Sequence, residues 1–262
     1  MDSRHGTHAA IELARPRMRL FDVSSDLVDF AITTFDVSPE ALAAKLPGGI
    51  SPERVTLPDG RERALVSAVS FVNTRFFVGY APFVKLRCAQ TNYRAYVRLR
   101  DGTSGCFFFA THLDHFLVLM PRHLWRMPWS RSHVSADVRW DGERLATYDW
   151  RGEGGEGRER LRVRGTGRPL GTLPGFAGDA ATHRFLTAPL LGWLVRRGGS
   201  AVAHYSVWHA PLELERCEVD EARFECWERL GLVEPGQAPH SVLAQRLTKY
   251  LILLPPHAVT LP

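Results

Sequence analysis

Only three of the 33 basic residues in the 262-residue chain are lysines: Lys45, Lys85 and Lys249. Any chemistry that needs a lysine amine therefore has three candidates. No stretch approaches the ~20 consecutive apolar residues of a membrane-spanning helix. The opening MDSRHGTHAAIELARPR has no apolar centre that would make it a secretory signal, so residues 1–18 read as a loose N-terminal extension and a cytoplasmic location is expected. The four cysteines, Cys88, Cys106, Cys217 and Cys226, include no CxxC pair, so reduced thiols are expected. The sequence also lacks a GxSxG nucleophile elbow, a GxxxxGK[ST] phosphate loop and an HExxH zinc motif. GTGRPLG (165–171) is glycine-rich, but no convincing helix follows whose N-terminus would hold a phosphate. No repeat occurs at solenoid or propeller periods.

A composition of 45% hydrophobic residues supports a buried core and excludes a disordered chain. No Gly/Ser/Pro linker divides the sequence, so residues 19–262 read as one domain. The net charge of +5 and pI of 9.3 permit an anionic partner without requiring one. The arginine bias fits a GC-rich genome.

Local patterns favour strands. SPEALAAKL (38–46) is the first clear element, a helix capped by Ser38 with Pro39 at its first position. ALVSAVSFV (64–72) reads as a strand after the PDG turn. YRAYVRLR (93–100) alternates, with Arg94, Tyr96, Arg98 and Arg100 on one face and Ala95, Val97 and Leu99 on the other. DGTSG then turns the chain into CFFFA (106–110), a buried strand in which Cys106 acts as a small apolar residue. A helix is expected from Asp114 to about Arg126, ended by Met-Pro.

A hairpin of 133–140 with 143–150 comes next. RGEGGEG (151–157) reads as a flexible hairpin connection, RERLRVR (158–164) as a strand, and 182–194 as a helix capped by Asp179 or Thr182 and interrupted by Pro189. One or two strands lie in 201–214, a helix in DEARFECWERLG (220–231) with Gly231 as its stop, and a closing strand in KYLILL (249–254). Short hairpin-like links, with no regular helical crossovers, point to antiparallel β with a few helices rather than a doubly wound sheet.

Several clusters invite a functional reading. In HLDH (112–115), His112 and His115 have metal-compatible types but a weak spacing; the favoured reading is a helix start with Asp114 near the positive end of the dipole, and no metal is expected. Arg158, Arg160, Arg162 and Arg164 share one strand face and would suit phosphates. Glu159, Leu161 and Val163 face the other way, and a sheet with its apolar face on the core and arginines in water explains the pattern better. Ser130 and Ser132 lie near His133, but neighbours on a strand point to opposite faces. Asn92, Arg94 and Tyr96 would project together from one strand face, offering an amide, a carboxylate-binding fork and a hydroxyl. Alternation alone assigns that face to solvent.

A family resemblance changes that assignment. SPEALAAKLPGGI (38–50), NYRAYV (92–97), DGTSGCFFFATHLD (101–114), RHLWRMPWSRSHV (122–134), THRFLTAPLLGW (182–193) and WHAPLEL (208–214) resemble, in order and spacing, the motifs of domain-of-unknown-function family 2071, which belongs with the acetoacetate-decarboxylase-like fold. Ala95 replaces the family's threonine, and Ala188-Pro189 stands where it has Glu-Arg. The resemblance runs from about residue 38 to 254. It implies an α+β fold, mainly β, whose curved antiparallel sheet closes into a barrel around a small cavity.

The resemblance also implies where a site lies. Asn92, Arg94 and Tyr96 would face inward, with Ser130 and Arg131 near the cavity. His209 would be either a general base or a buried imidazole with satisfied hydrogen bonds. The decarboxylases carry a Tyr-Pro-Lys-Lys run whose lysine forms a Schiff base. Here Pro128 is followed by Trp129, Ser130 and Arg131, and a guanidinium stays protonated and is no amine nucleophile.

The resulting expectation is a protein that binds a small anionic or carbonyl-bearing metabolite without a cofactor and without Schiff-base decarboxylation. Catalysis itself stays open. The alternative is a non-catalytic scaffold using the 158–164 strand and scattered tryptophans. Nucleic-acid binding ranks last, because no aromatic-basic recognition module accompanies the arginines. No membrane partner is expected, and a homo-oligomer is left open.

Overall fold

The computed structural model describes residues 14–259, so most of the expected N-terminal extension (residues 1–13) lies outside the described residues. β1 (Val23–Val37) leads into a short helix, α1 (Pro39–Ala43), and two short strands, β2 (Ile50–Pro52) and β3 (Arg54–Thr56). Three long strands follow: β4 (Glu62–Val78), β5 (Leu86–Leu99) and β6 (Ser104–Leu113). A 3-10 turn (Phe116–Val118) and α2 (Leu119–Leu124) connect to a meander of β7 (Trp129–Asp141), β8 (Arg144–Gly154) and β9 (Gly157–Pro169). The remainder is α3 (Asp179–Thr187), β10 (Leu191–Val195), β11 (Val202–His209), β12 (Glu215–Phe224), α4 (Glu225–Arg229) and β13 (Ser241–Val259). No helix among the described residues is long and apolar enough to cross a membrane.

All the strands join one 13-stranded sheet, mainly antiparallel, that closes on itself through the β5–β6 and β11–β13 pairings. Two strands fork. The edge of β6 opposite β5 pairs with β10 at Cys106–Phe107 and with β7 at Thr111–Leu113, both in parallel. The edge of β13 opposite β1 pairs with β12 at Leu243–Ala244 and with β11 at Tyr250–Val259. Hydrogen bonding therefore runs in two fused rings. The smaller passes through β10 and β11, and the larger through β7, β8, β9 and β12. They share one wall made of β13, β1, β4, β5 and β6.

The shared wall is buried on both faces. On β5, Tyr93, Ala95 and Val97 belong to one core cluster and Tyr96 to another. On β1, Ala31 and Phe35 pack with the first cluster, and Phe30 and Ile32 with the second. Strands buried on both sides read as apolar runs rather than alternations. In DLVDFAITTFDV the polar residues Asp26, Asp29, Thr33, Thr34 and Asp36 fall on both faces, which is why β1 escapes a search for amphipathic periodicity, although its β-branched and aromatic content favours a strand.

Local expectations hold where turn and cap chemistry is decisive. Ser38 caps α1, its Oγ accepting from the Ala41 N–H at 3.1 Å. The 133–150 hairpin forms as β7 and β8. The alternating strand at 158–164 is β9, with its four arginines exposed and Glu159, Leu161 and Val163 buried.

Other expectations are corrected. Residues 215–224 are strand, and only Glu225–Arg229 is helical. Pairing with β9 sets Glu218 opposite Arg164 and Glu221 opposite Arg162, and this cross-strand charge match outweighs local helix preference. The helix expected over 114–126 is only the 3-10 turn and α2, because Asp114 accepts from the Val134 N–H at 3.3 Å instead of starting a helix. The glycine run is almost entirely ladder, with Gly154 paired to Gly157. α3 starts from Gly178 rather than from Asp179 or Thr182. Thr182 Oγ1 instead donates to the Gly178 carbonyl at 3.0 Å and accepts from the Leu173 N–H at 3.2 Å. Past Pro189 the chain enters β10 rather than resuming the helix.

Glu159 is the one charged residue of β9 whose side chain points into the larger ring, where it is 1% exposed. Its carboxylate reaches across to the shared wall. Oε1 accepts from Tyr93 Oη at 3.0 Å and pairs with His112 Nδ1 at 2.6 Å. Oε2 accepts from Thr91 Oγ1 at 2.6 Å and from Trp150 Nε1 at 3.0 Å. Burial pushes the Glu159 pKa up, but the hydrogen bonds and the nearby His112 outweigh it, and the net shift is downward from the ordinary 4.5.

Removing the carboxylate would orphan four buried donors, so Glu159→Ala is expected to destabilise the protein by about 3 kcal/mol or more, read as a fall in the urea midpoint. Because folding lowers this pKa, the associated stability is complete above the unfolded value and lost as pH falls through the folded one. Unfolding free energy measured from pH 6 down to 3 should therefore fall more steeply in the wild type than in Glu159→Gln. Equal slopes would show that this carboxylate is not responsible.

Candidate functional site

The smaller ring encloses a cavity of about 360 Å³, within the size range of small-molecule pockets. One wall is β5, whose alternate residues Leu86, Cys88, Gln90, Asn92 and Arg94 all face it. The rest of the lining is largely apolar and aromatic, with Phe30, Phe71, Phe108, Tyr205 and Tyr250 prominent. The face that alternation assigned to solvent is thus the inner face of the smaller ring, while Tyr93, Ala95 and Val97 belong to the core of the larger.

A directed chain of hydrogen bonds runs along the wall. Ser25 Oγ donates to Asn73 Oδ1 at 3.0 Å, Asn73 Nδ2 to Gln90 Oε1 at 3.0 Å, and Gln90 Nε2 to Asn92 Oδ1 at 2.8 Å. Thr111 Oγ1 also donates to Asn92 Oδ1 at 3.0 Å. Each carboxamide is oriented by the one before it. The last, Asn92, therefore has its oxygen occupied, and its Nδ2 donors have no acceptor among the described residues.

Arg94 follows two residues on. Its Nη2 donates to Tyr96 Oη and to the Leu186 carbonyl, both at 3.3 Å, and its guanidinium lies 5.4 Å from the centre of the Tyr96 ring. Its Nε is buried and has no hydrogen-bond partner. No carboxylate forms an ion pair with it among the described residues. A bulge in the β5–β6 pairing between Tyr93 and Arg94 sits at this point, a device that re-aims side chains beside functional sites.

The other expected site residues divide. His209 lines the cavity and stacks on Tyr250, with ring centroids 4.9 Å apart. Its Nδ1 lies 2.8 Å from the Ala210 carbonyl and its Nε2 2.9 Å from the Thr187 carbonyl. A neutral imidazole can donate to only one of these. Burial lowers the His209 pKa; the two carbonyls oppose that shift, and Arg94 and His183 add to it. Tyr96 is fully buried behind Arg94 and receives a hydrogen bond from Ser67 Oγ at 3.1 Å.

Ser130 and Arg131 do not line the cavity. Ser130 is buried in register with His112, and Arg131 is exposed. His112 of the HLDH run is held by Glu159, and no group of three or more metal-ligating side chains lies together among the described residues.

Sequence reasoning missed Ser25, Asn73 and Gln90. Gln90 was legible in principle, since QTNYR places polar residues at 90, 92 and 94 on the face of Arg94. Of the reactive groups in the cavity, the Cys106 thiol is pushed up by burial, with Arg94 opposing. The Tyr250 hydroxyl is pushed up to about 12, again mainly by burial. Neither offers an anionic nucleophile near neutral pH. All three lysines are exposed, and none lines the cavity.

The same architecture occurs in solved structures. Acetoacetate decarboxylase from Legionella pneumophila aligns with a TM-score of 0.60 at 14% identity, covering 98% of each chain. The enduracididine biosynthesis enzyme MppR, complexed with the condensation product of pyruvate and imidazole 4-carboxaldehyde, aligns at 0.59 and 12%, covering 96% of this chain and 92% of MppR. An acetoacetate decarboxylase-like enzyme from Sphingomonas wittichii RW1 aligns at 0.57 and 12%, covering 99% and 100%. At such identities the likeness defines the fold class, acetoacetate-decarboxylase-like, and nothing finer. Within that class the chain belongs to DUF2071, a family described as an uncharacterized conserved protein, which it matches over residues 25–248. No curated protein sequence matches it.

An uncompensated guanidinium weakens the fold that carries it. Arg94→Met keeps the aliphatic bulk and removes the charge, so its unfolding free energy should equal the wild type's or exceed it by up to about 1 kcal/mol, as measured in urea. A loss of 2 kcal/mol or more would mean that Arg94 serves the fold rather than a ligand.

Proposed function

We propose that the cavity binds a small anionic or carbonyl-bearing metabolite, held at Arg94 and Asn92. One observation carries the reading: a permanently charged guanidinium opens on a mainly apolar cavity with no carboxylate partner and a bare Nε, next to an amide whose free donors face the same space. A buried charge without a partner is costly, and an anionic ligand would compensate it. Tyr96 and the Leu186 carbonyl, each bonded to Nη2, orient the guanidinium. The fold neighbours add a consistent chemistry, since one is an acetoacetate decarboxylase and another is complexed with pyruvate.

A Schiff base is not part of this reading. It needs a lysine beside the bound carbonyl, and the cavity wall has none. A cytoplasmic site of action, free thiols and no cofactor go with it. The alternative, a scaffold built on the Arg158–Arg164 strand, gains no support, because Arg158 and Arg164 are already paired with Glu225 and Asp220 at 2.9 Å.

The test is a thermal-shift series with keto acids, carboxylates and phosphates on the wild type and Arg94→Met. A ligand at 100 times its Kd should add about 2.7 kcal/mol, or about 5–10 °C for a domain of this size. The shift should vanish in Arg94→Met. Pyruvate or acetoacetate with borohydride should leave the intact mass unchanged; a reduced adduct on any lysine would overturn the exclusion of Schiff-base chemistry.

A further inference from the structure

We infer that the ligand is an amphipathic monocarboxylate, with its head at Arg94 and Asn92 and a hydrocarbon tail running toward the cavity mouth. This deepens the anion-binding reading and rests on it. Shape is the first argument. The cavity-facing residues of β5 extend from Leu86 to Arg94, about 26 Å at the ~3.3 Å rise of a strand. A volume of about 360 Å³ over that length is a narrow slot rather than a round pocket. Pyruvate, with six non-hydrogen atoms, would occupy only the Arg94 end of a slot this long and leave the apolar part wet.

Polarity along the slot is the second argument. Ser25, Asn73 and Gln90 hydrogen-bond one another along the wall, while Arg94 Nε is buried without a partner and Asn92 Nδ2 has no acceptor among the described residues. Beyond them the lining turns apolar, through Phe76, Val78, Met127, Trp129 and Leu254. A ligand with one anionic end and no further polar group fits this distribution. A dicarboxylate or a sugar acid would bury its second polar group without a partner.

The mouth is the third argument. It is built by the 79–85 loop and the region around α2, which contribute Tyr80, Val84, Pro121 and Trp125 to the lining. The same two segments carry Phe83 at 82% exposure, Leu124 at 66% and Phe116 at 61%. Large apolar side chains in water at one place mark a contact surface. Here they continue the apolar lining outward, as a path for a tail entering or leaving would require.

The experiment is calorimetric titration of the wild-type protein with straight-chain carboxylates from acetate to dodecanoate, with pyruvate, and with decanol. Affinity should rise about fourfold per methylene, the equivalent of ~0.8 kcal/mol, as the tail extends along the slot toward the mouth. Decanol should bind at least tenfold more weakly than decanoate, and Arg94→Met should weaken every acid by a similar factor. Cys88→Trp, which fills the slot between head and mouth, should spare butanoate and abolish the gain from longer chains. If that variant fails to fold, the wild-type chain-length slope decides alone.

Pyruvate binding as tightly as decanoate, with dependence on Arg94, would overturn the tail and leave the anion site standing. Decanol matching decanoate, with no effect of Arg94→Met, would overturn both readings, as would the absence of binding by any acid.

Discussion

The carboxylate of Glu159 is the interaction on which this architecture depends. It is buried on β9, on the far side of the larger ring from the wall both rings share, and it accepts hydrogen bonds that originate on β5, β6 and β8. Sheet pairing alone connects β9 to β5 only by the long route through β7 and β6 or through β12 and β13. Glu159 spans the interior directly and fixes how far the meander stands from the wall. The environment is built to hold it. Gly152 lies opposite on β8, where a Cβ would sit 2.7 Å from Oε2 and displace a carboxylate that four donors hold in place. Trp150, one of the largest fully buried side chains, turns its indole N–H to the same oxygen.

Two buried charges therefore lie on opposite sides of one wall, and they differ in a way that separates structure from function. Glu159 is saturated with donors, and its ionised form is favoured by the fold. Arg94, one residue beyond Tyr93 and so on the other face of β5, has a bare Nε and no counter-charge. The same strand supplies both environments because its side chains alternate between rings. Thr91 and Tyr93 serve the carboxylate, while Asn92 and Arg94 open on the cavity. A rigid network around a carboxylate held by four partners on one face is what allows an unpaired group to be held in position on the other.

Much of the fold is legible where local chemistry decides: the Ser38 cap, the DG turns, and the strand at 158–164 with its arginines outward. The family resemblance adds the closed sheet and the inward direction of Asn92 and Arg94, against the solvent-facing assignment that alternation supports. What stays illegible follows from burial on two faces. β1 has no polar side, so a period-two search passes over it. The end of β12, residues 220–224, reads as helix until Glu221 meets Arg162 of β9. Glu159 reads as one more charge on a mixed strand, because its partners lie at 91, 93, 112 and 150, and nothing local brings them together. Ser130 and Arg131 sit beside the expected cavity in sequence but not in space, since β7 leaves β6 for the larger ring just where they occur.

The chemistry of the site is one-sided. The unpaired groups at its inner end are donors: the Asn92 amide and the Arg94 guanidinium. The imidazole stacked on Tyr250 is tied up. His209 has both ring nitrogens against backbone carbonyls, and its protonation is opposed by burial and by Arg94. Cys106 and Tyr250 are held protonated by burial. Donors of this kind suit a carboxylate or a polarised carbonyl. The fold's solved neighbours include an acetoacetate decarboxylase, and here no lysine among the described residues lines the cavity, so the Asn92 and Arg94 donors stand without an amine beside them.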